Sequence, residues 1–124
     1  MKPNIQSERI KGDFLHMVFF WLKNPDDQKD RRSFENVLQE FISTNPQVVS
    51  FHIGQPAATN RPVVDFSYTY SLVVSFPDLK THDAYQADPS HLLFIEKGNH
   101  LWEKVQIYDS VFNQLIIRAK IVPK

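Results

Sequence analysis

The sequence has no cysteine, few glycines and no excess of charge of either sign. Without cysteine the chain cannot form disulfides, thiolate nucleophiles, cysteine-ligated zinc sites or iron–sulfur clusters. The three glycines, Gly12, Gly54 and Gly98, lie too far apart for a glycine-rich phosphate loop, so a nucleotide cofactor is unsupported. Lys plus Arg and Asp plus Glu number 14 each, so no net field attracts nucleic acid or an anionic membrane surface. We expect neither as a partner.

Long apolar runs are also missing. The longest, at residues 17–22, is far too short to span a bilayer, and residues 1–13 lack the apolar stretch of a secretory signal. We therefore expect a soluble, cytoplasmic protein.

The chain does have enough apolar material for one core. It has 124 residues, of which 42% are hydrophobic and 13% aromatic. Two domains of half this length would each be too small to bury a sound core. The sequence therefore predicts a single globular domain.

The first half of the chain predicts strand, helix, strand. Residues 14–22 are short and almost entirely apolar, which indicates a buried strand. Asn24 or Asp26 is the expected cap of a helix that ends before Pro46. Residues 48–53 predict the second strand. The apolar positions that recur at helical spacing are Phe34, Val37, Leu38, Phe41 and Ile42.

A surface loop with two prolines at 55–65 leads into the second half. Residues 66–76 alternate as a strand does, and we expect one side of that strand to face the helices. The residues on this side are Tyr68, Tyr70, Leu72, Val74 and Phe76.

Two short helices, a last core strand and an extra strand follow. The first helix starts at Pro77 and Asp78 and runs to Tyr85, and Pro89 starts the second. The second is expected to carry Leu92, Leu93, Ile95 and Trp102. Residues 104–112 then predict the last core strand, and residues 115–122 an extra strand.

This order of elements predicts an α+β, ferredoxin-like βαββαβ fold with a four-stranded antiparallel sheet and helices on one face. Residues 1–13 would form a flexible N-terminal segment, 14–112 the domain, and 113–124 a C-terminal extension at an edge. Both faces of the first strand are apolar, so the face without helices should be buried against a second copy of the chain. The sequence therefore predicts a homodimer.

Four short segments resemble the stress-responsive A/B barrel (Dabb) family. They are HMVFFWLK at 16–23, FHIG at 51–54, DPSH at 88–91 and WEKVQIYD at 102–109. None is specific alone, but their order and spacing are similar to the family pattern over about residues 14–112. The resemblance implies a dimeric α/β barrel with a pocket between each sheet and its own helices. The family includes proteins without known chemistry and at least one polyketide cyclase, so the fold does not decide the function.

The resemblance to the cyclase-like members puts a candidate catalytic pair at Tyr85 and His91. A neutral imidazole can take a proton from a carbon next to a carbonyl, and a phenol can hydrogen-bond the enolate oxygen. Such chemistry needs no cofactor. In the alternative reading, His91 caps the helix that Pro89 opens and Tyr85 only packs. Tyr70 stands where those members have a histidine, which puts the same reaction in doubt.

The remaining candidates are ligand contacts rather than catalytic groups. His16 lies on the first strand, where it is expected to orient a ligand or to support the core. Each of the apolar candidates is also a plain core residue in the alternative reading. The predicted ligand-binding residues are His16, Phe34, Tyr70, Leu72, Leu93, Phe94 and Trp102, and Phe41, Tyr68 and Val74 would line the same pocket.

No metal site and no cofactor is predicted. The other histidines, His52, His82 and His100, have no acidic or histidine neighbour in a repeated helical ligand pattern.

Three functions remain open from the sequence. The first is binding of a small apolar or aromatic compound. The second is cofactor-independent cyclase, aldol-type or lyase-type chemistry by His91 and Tyr85. The third is a structural dimer whose core is filled by aromatic rings. A ligand-sized cavity faced by both His91 and Tyr85 would support the first two functions, and a core packed shut by aromatic rings would support the third.

Overall fold

The described part of the chain contains one four-stranded antiparallel sheet, a two-stranded ladder and three α-helices. The computed structural model describes residues 4–117 and 120–121. In chain order the elements are β1 (Asn4–Ile5), β2 (Phe14–Leu22), α1 (Gln28–Thr44), β3 (Ser50–Gly54), β4 (Tyr70–Phe76), α2 (Leu79–Ala87), α3 (Pro89–Gly98), β5 (Trp102–Val111), a 3₁₀ turn (Gln114–Ile116) and β6 (Lys120–Ile121). The order of strands in the sheet is β3, β4, β2, β5. The predicted ferredoxin-like fold is therefore confirmed.

Strand β2 lies in the middle of the sheet and determines its two faces. It pairs antiparallel with β4 and with β5, and His16 lies opposite Val74 on one side and Asp109 on the other. Its even-numbered residues are buried beneath the helices, whereas its odd-numbered residues are half-buried on the open face. This alternation is the period of two that any strand imposes on its side chains.

The core lies between the sheet and the helices. Helix α1 buries Phe34, Leu38 and Phe41, which share one face because they are spaced by four and three residues. Phe34 is fully buried, and its ring packs against the rings of Phe20 and Tyr70 at centroid distances of 5.0 and 5.2 Å. Aromatic rings therefore fill much of this layer.

Asp88 joins helices α2 and α3. It ends α2, where its N–H donates to the carbonyl of Tyr85, and it begins α3, where its side chain accepts from the N–H of Ser90. Pro89 follows as the first residue of α3, a position where its missing N–H costs nothing. The two helices therefore meet at a sharp, well-capped corner.

Three local predictions are wrong. The cap of α1 is Asp27, whose carboxylate accepts from two backbone N–H groups, and neither Asn24 nor Asp26 fills this position. Trp102 begins β5 and is not on α3, because α3 ends at Gly98, where a Cβ would come within 3.0 Å of the Trp102 ring.

The third concerns Tyr68, which was expected on the helix side of the sheet. Regular strand alternation begins only at Tyr70, and the Tyr68 ring lies 5.0 Å from that of Phe19 on the open face.

The chain after β5 forms the 3₁₀ turn and then β6, which pairs in parallel with β1. Of the predicted extra strand at 115–122, residues 115 and 116 lie in the 3₁₀ turn, residues 120 and 121 form β6, and residues 118, 119 and 122 lie outside the described residues. The flexibility of residues 1–13 and a place for the extension at a dimer edge stay predictions. No helix in the described ranges is both long and apolar enough to cross a membrane.

Candidate active site

Five polar and aromatic side chains meet where α2 and α3 cross the sheet. They come from four elements that the fold brings together, and we call them the histidine–tyrosine cluster. Its members are His16 on β2, His82 and Tyr85 on α2, His91 on α3 and Asp109 on β5.

His16 and Asp109 form the floor of the cluster. They are register partners on neighbouring strands, so both side chains point to the helix side of the sheet. His16 Nδ1 lies 2.5 Å from Asp109 Oδ1, and His16 is 4% exposed while the Asp109 side chain is 42% exposed. Burial lowers the pKa of His16, although the hydrogen bond to Asp109 and its charge act in the opposite direction.

Tyr85 lies at the centre of the cluster. Its ring is 5.7 Å from the ring of His16 and 4.6 Å from that of His91, and it packs against Phe76 at 4.8 Å. Burial, and then the negative charge of Asp109, raise the pKa of Tyr85 well above its usual value. Its hydroxyl therefore stays protonated at neutral pH and can act as a hydrogen-bond donor.

His91 lies in the first turn of α3 and faces Tyr85. Its Nδ1 is buried and has no hydrogen-bond partner among the described residues. The capping role in the alternative reading belongs instead to Asp88. Burial lowers the pKa of His91, the nearby backbone of Gln86 raises it, and the neighbouring His16 and His82 lower it further. The ring is therefore neutral at pH 7.

His82 and Asp109 are members that the sequence analysis missed. His82 packs over His16 with ring centroids 5.0 Å apart, and its two ring nitrogens lie 3.3 Å from the Asp83 carboxylate and 3.1 Å from the Gln86 amide. His82 is three residues before Tyr85, which puts both on one face of a helix. Asp109 has the same parity as the apolar positions Val105 and Ile107. Both signals were present in the sequence.

The other predicted ligand residues lie in a different part of the core. The rings of Phe34, Phe94 and Trp102 pack against one another and against Phe20. Tyr70 packs against Phe34, and Leu72 is 1% exposed. The Tyr70 hydroxyl donates a very short hydrogen bond to Glu35, and burial followed by this bond raises the pKa of Tyr70 to about 12.

Leu93 stands apart from the other predicted residues. It is 39% exposed, and it borders a narrow groove of about 10 Å³ between α1 and α3. The fold does not bring these six ligand candidates together with the histidine–tyrosine cluster, whereas the predicted pocket residue Phe41 contacts both Tyr85 and His91, at centroid distances of 5.7 and 6.1 Å.

Larger cavities occur at the surface. Two of about 500 and 210 Å³ lie near Trp21 and Tyr68, at one end and on the open face of the sheet, and one of about 510 Å³ lies near Ile10 and Phe112. Within the described chain, none of these cavities is bordered by Tyr85 or His91. Tyr85 and His16 are only 2% and 4% exposed, so the cluster is closed in this conformation, and Asp109 is its most exposed member.

Comparison with known proteins agrees with the fold. The family described as Stress responsive A/B Barrel Domain matches residues 14–112. No curated protein matches the chain. A Dabb family protein with a ferredoxin-like fold from Mesorhizobium loti superimposes with a TM-score of 0.68 at 22% identity, covering 83% of this chain and 99% of that one.

Two further solved structures are similar at low identity. A dimeric ferredoxin-like protein of unknown function from Thermobifida fusca has a TM-score of 0.65 at 12% identity, with 87% of this chain and 99% of that chain covered. A hydroxynitrile lyase from Passiflora edulis has a TM-score of 0.67 at 18% identity, with 85% of this chain and 97% of that chain covered. At such identities the likeness establishes the shared fold.

Proposed function

Because this chain belongs to the stress-responsive A/B barrel family, we propose that it is a homodimer that binds a small apolar or aromatic carbonyl compound beside Tyr85 and His91 and transfers protons to and from it without a cofactor. The observation that supports the proposal most directly is the close approach of the Tyr85 and His91 side chains. The two rings are 4.6 Å apart, and the buried Nδ1 of His91 has no partner within the described chain. Buried polar atoms are normally hydrogen-bonded, so an unpartnered one is a reasonable place for a substrate proton.

The two side chains supply complementary roles. Neutral His91 accepts a proton at Nδ1 from a hydroxyl or from a carbon next to a carbonyl. The Tyr85 hydroxyl donates a hydrogen bond to the oxygen on which negative charge develops. The proton then returns from His91 to the product carbon or to the leaving group, so the protein ends unchanged. The pKa of each group, lowered for His91 and raised for Tyr85, keeps it in the required form at pH 7.

The similar hydroxynitrile lyase supports a reaction of this class. Cleavage of a hydroxynitrile into a carbonyl compound and hydrogen cyanide requires removal of the hydroxyl proton and protonation of cyanide. Both steps are proton transfers that one imidazole and one phenol can carry out.

Substrate entry requires α2 to move, because Tyr85 is 2% exposed. Helix α2 has nine residues and buries only His82 and Tyr85, so few side chains anchor it in the core. Elements with few buried apolar contacts open at the lowest free-energy cost. We therefore assign the entry route to the side of α2 that faces Asp109.

The homodimer is supported by the open face of the sheet. This face exposes 58% of Tyr108 and carries half-buried Phe19 and Trp21, whose rings form a cluster with Tyr68. An apolar aromatic face of this kind is stable in water when a second copy covers it. Similar structures of the same fold are described as dimeric.

The function is tested with a panel of aromatic and aliphatic aldehydes, hydroxynitriles and aromatic polyketide analogues. Binding is followed by tryptophan fluorescence and turnover by chromatography, with protein treated with a chelator. Tyr85→Phe and His91→Leu should each lower turnover by about 100-fold or more. His100→Ala, at an exposed position outside the cluster, is the matched control and should keep full turnover. Equal turnover in all four proteins would refute the catalytic roles.

A structural dimer is the second candidate, and the filled aromatic core favours it. The rings of Phe20, Phe34, Phe94 and Trp102 occupy the layer in which a ligand was predicted. This reading expects no fluorescence change and no rise in melting temperature with any compound of the panel. It also expects a melting temperature that rises with protein concentration.

A further inference from the structure

We propose that His16, His82 and Asp109 form a binding site for one divalent transition-metal ion. Each residue offers one ligand atom, and these three atoms lie within 4.8 Å of one another. They come from β2, α2 and β5, so the site would link the middle of the sheet, an edge strand and a covering helix. This proposal does not depend on the catalytic roles of Tyr85 and His91.

The two imidazoles are already at the right separation. Their ring centroids are 5.0 Å apart with the ring planes inclined by 54°. Two imidazoles on one zinc ion also have centroids about 5 Å apart, because each metal–nitrogen bond is about 2.1 Å long. Little movement of either backbone is needed to direct one nitrogen of each ring to a common point.

The donor set selects the kind of metal. Two imidazole nitrogens and one carboxylate oxygen suit zinc, cobalt, nickel or ferrous iron, whereas magnesium and calcium prefer oxygen ligands throughout. Three protein ligands leave at least one position for water, and the exposed Asp109 side chain puts that position on the solvent side.

Two local contacts must change when the ion binds. His16 Nδ1 and Asp109 Oδ1 are 2.5 Å apart as hydrogen-bond partners, whereas two ligands of one ion are about 3 Å apart. Asp109 can move back because its side chain is 42% exposed on an edge strand. His82 must also give up one of its long contacts to Asp83 and Gln86, of 3.3 and 3.1 Å.

Binding has a structural consequence for α2. His82 is one of the two residues that this helix buries, so a metal bond to His82 would fasten α2 to β2 and β5. A ligand that binds only the folded state raises the melting temperature. The metal should therefore stabilise the protein and hold α2 against the sheet.

The test is titration of chelator-treated protein with cobalt(II) chloride and zinc chloride. Cobalt should give visible absorption bands of a nitrogen-ligated ion, and calorimetry should give one zinc ion per chain with micromolar or tighter affinity. Asp109→Asn and His82→Gln should each weaken zinc binding by more than about 100-fold, since even residues behind a ligand are worth 10- to 100-fold. His100→Asn, which changes an exposed histidine elsewhere, should bind zinc as the unaltered protein does.

The results of this zinc-binding test can be told apart from the results of the turnover assays that test the proposed function. Zinc binding that persists in Asp109→Asn and His82→Gln, or no binding at 100-fold excess of zinc, would overturn the metal site whatever the turnover assays give. Loss of binding in both variants but not in His100→Asn supports it. Asp109→Asn keeps the test valid if His82→Gln does not fold, because the Asp109 side chain is 42% exposed and an asparagine oxygen can still accept the hydrogen bond from His16.

Discussion

The rings of Tyr85 and His91 lie 4.6 Å apart because their two helices meet at Asp88. Asp88 accepts hydrogen bonds from the N–H and hydroxyl of Ser90 and from the side chain of Gln47, which anchors the corner to the chain after α1. These bonds lower the pKa of Asp88, so its carboxylate remains charged through the neutral range. One carboxylate therefore stabilises the corner between the two helices that carry the proposed catalytic groups.

Replacing His91 by leucine should abolish turnover without destabilising the fold. An unpartnered buried polar atom costs about 1–3 kcal/mol, and Nδ1 of His91 is one. His91→Leu should therefore leave the free energy of unfolding unchanged or raise it by about 1 kcal/mol, while turnover is lost. Urea denaturation measures the first effect. A loss of stability above about 2 kcal/mol would mean that the imidazole has a partner in solution.

Removing only the hydroxyl of Tyr85 should have little effect on folding. The ring contacts to Phe76 and Phe41, at 4.8 and 5.7 Å, remain in Tyr85→Phe. We expect a change in unfolding free energy of less than about 1 kcal/mol, against about 3–5 kcal/mol lost in Tyr85→Ala, which removes the ring. Thermal melting followed by circular dichroism compares the two variants. Similar melting temperatures for both would contradict the packing role of the ring.

Stability should fall as the pH drops below 6.5. The pKa of His91 is lowered in the folded protein, mainly by burial and further by His16 and His82, while Gln86 and Asp88 act against this. The unfolded chain then binds a proton at a higher pH than the folded chain does, so acid favours unfolding. The effect is absent above pH 6.5, begins as the pH falls through that value, and is complete below the folded pKa. His16, whose pKa is also lowered, adds to it.

The measurement is the urea midpoint between pH 7.5 and 4.5. This window lies above the lowered pKa values of Asp65, Asp78 and Asp88, so their protonation contributes little. His91→Leu should show a weaker dependence than the unaltered protein. The same slope in both proteins would show that His91 does not titrate with folding.

A lysine on the open face should break the proposed dimer. Phe19→Lys puts a charge beside Tyr68 and Tyr108, whose rings lie 5.0 and 6.2 Å from that of Phe19. Burying an unpaired charge in an interface is costly, so the variant should be a monomer by light scattering. Leu92→Lys is the control, since Leu92 is 56% exposed on α3 and this variant should remain a dimer.

The fold was predictable from the sequence because its strands and helices differ in period. Alternation along β4 and the spacing of Phe34, Leu38 and Phe41 on α1 each indicate one type of element. The ends of the helices and strands were harder to predict. Asp26 and Asp27 have the same side chain, so only the geometry of the turn decides which of them caps α1.

The site was only partly predictable. Tyr85 and His91 are six residues apart, and the corner between two helices brings them together. The contact between His16 and Asp109 depends on the register of β2 with β5, across a separation of 93 residues in the chain. No local pattern contains that register, although the position of an aspartate on the apolar side of a strand was a usable signal.

Helix α2 also places a limit on how this sequence can diverge. The two side chains that attach it to the core, His82 and Tyr85, are the ones to which metal binding and proton transfer are assigned. A descendant that abandoned both activities would still need two rings or apolar side chains at these positions. Phenylalanine or leucine there would serve that purpose, so in an alignment of relatives the identities of residues 82 and 85 would distinguish lineages that keep the chemistry from lineages that keep only the helix.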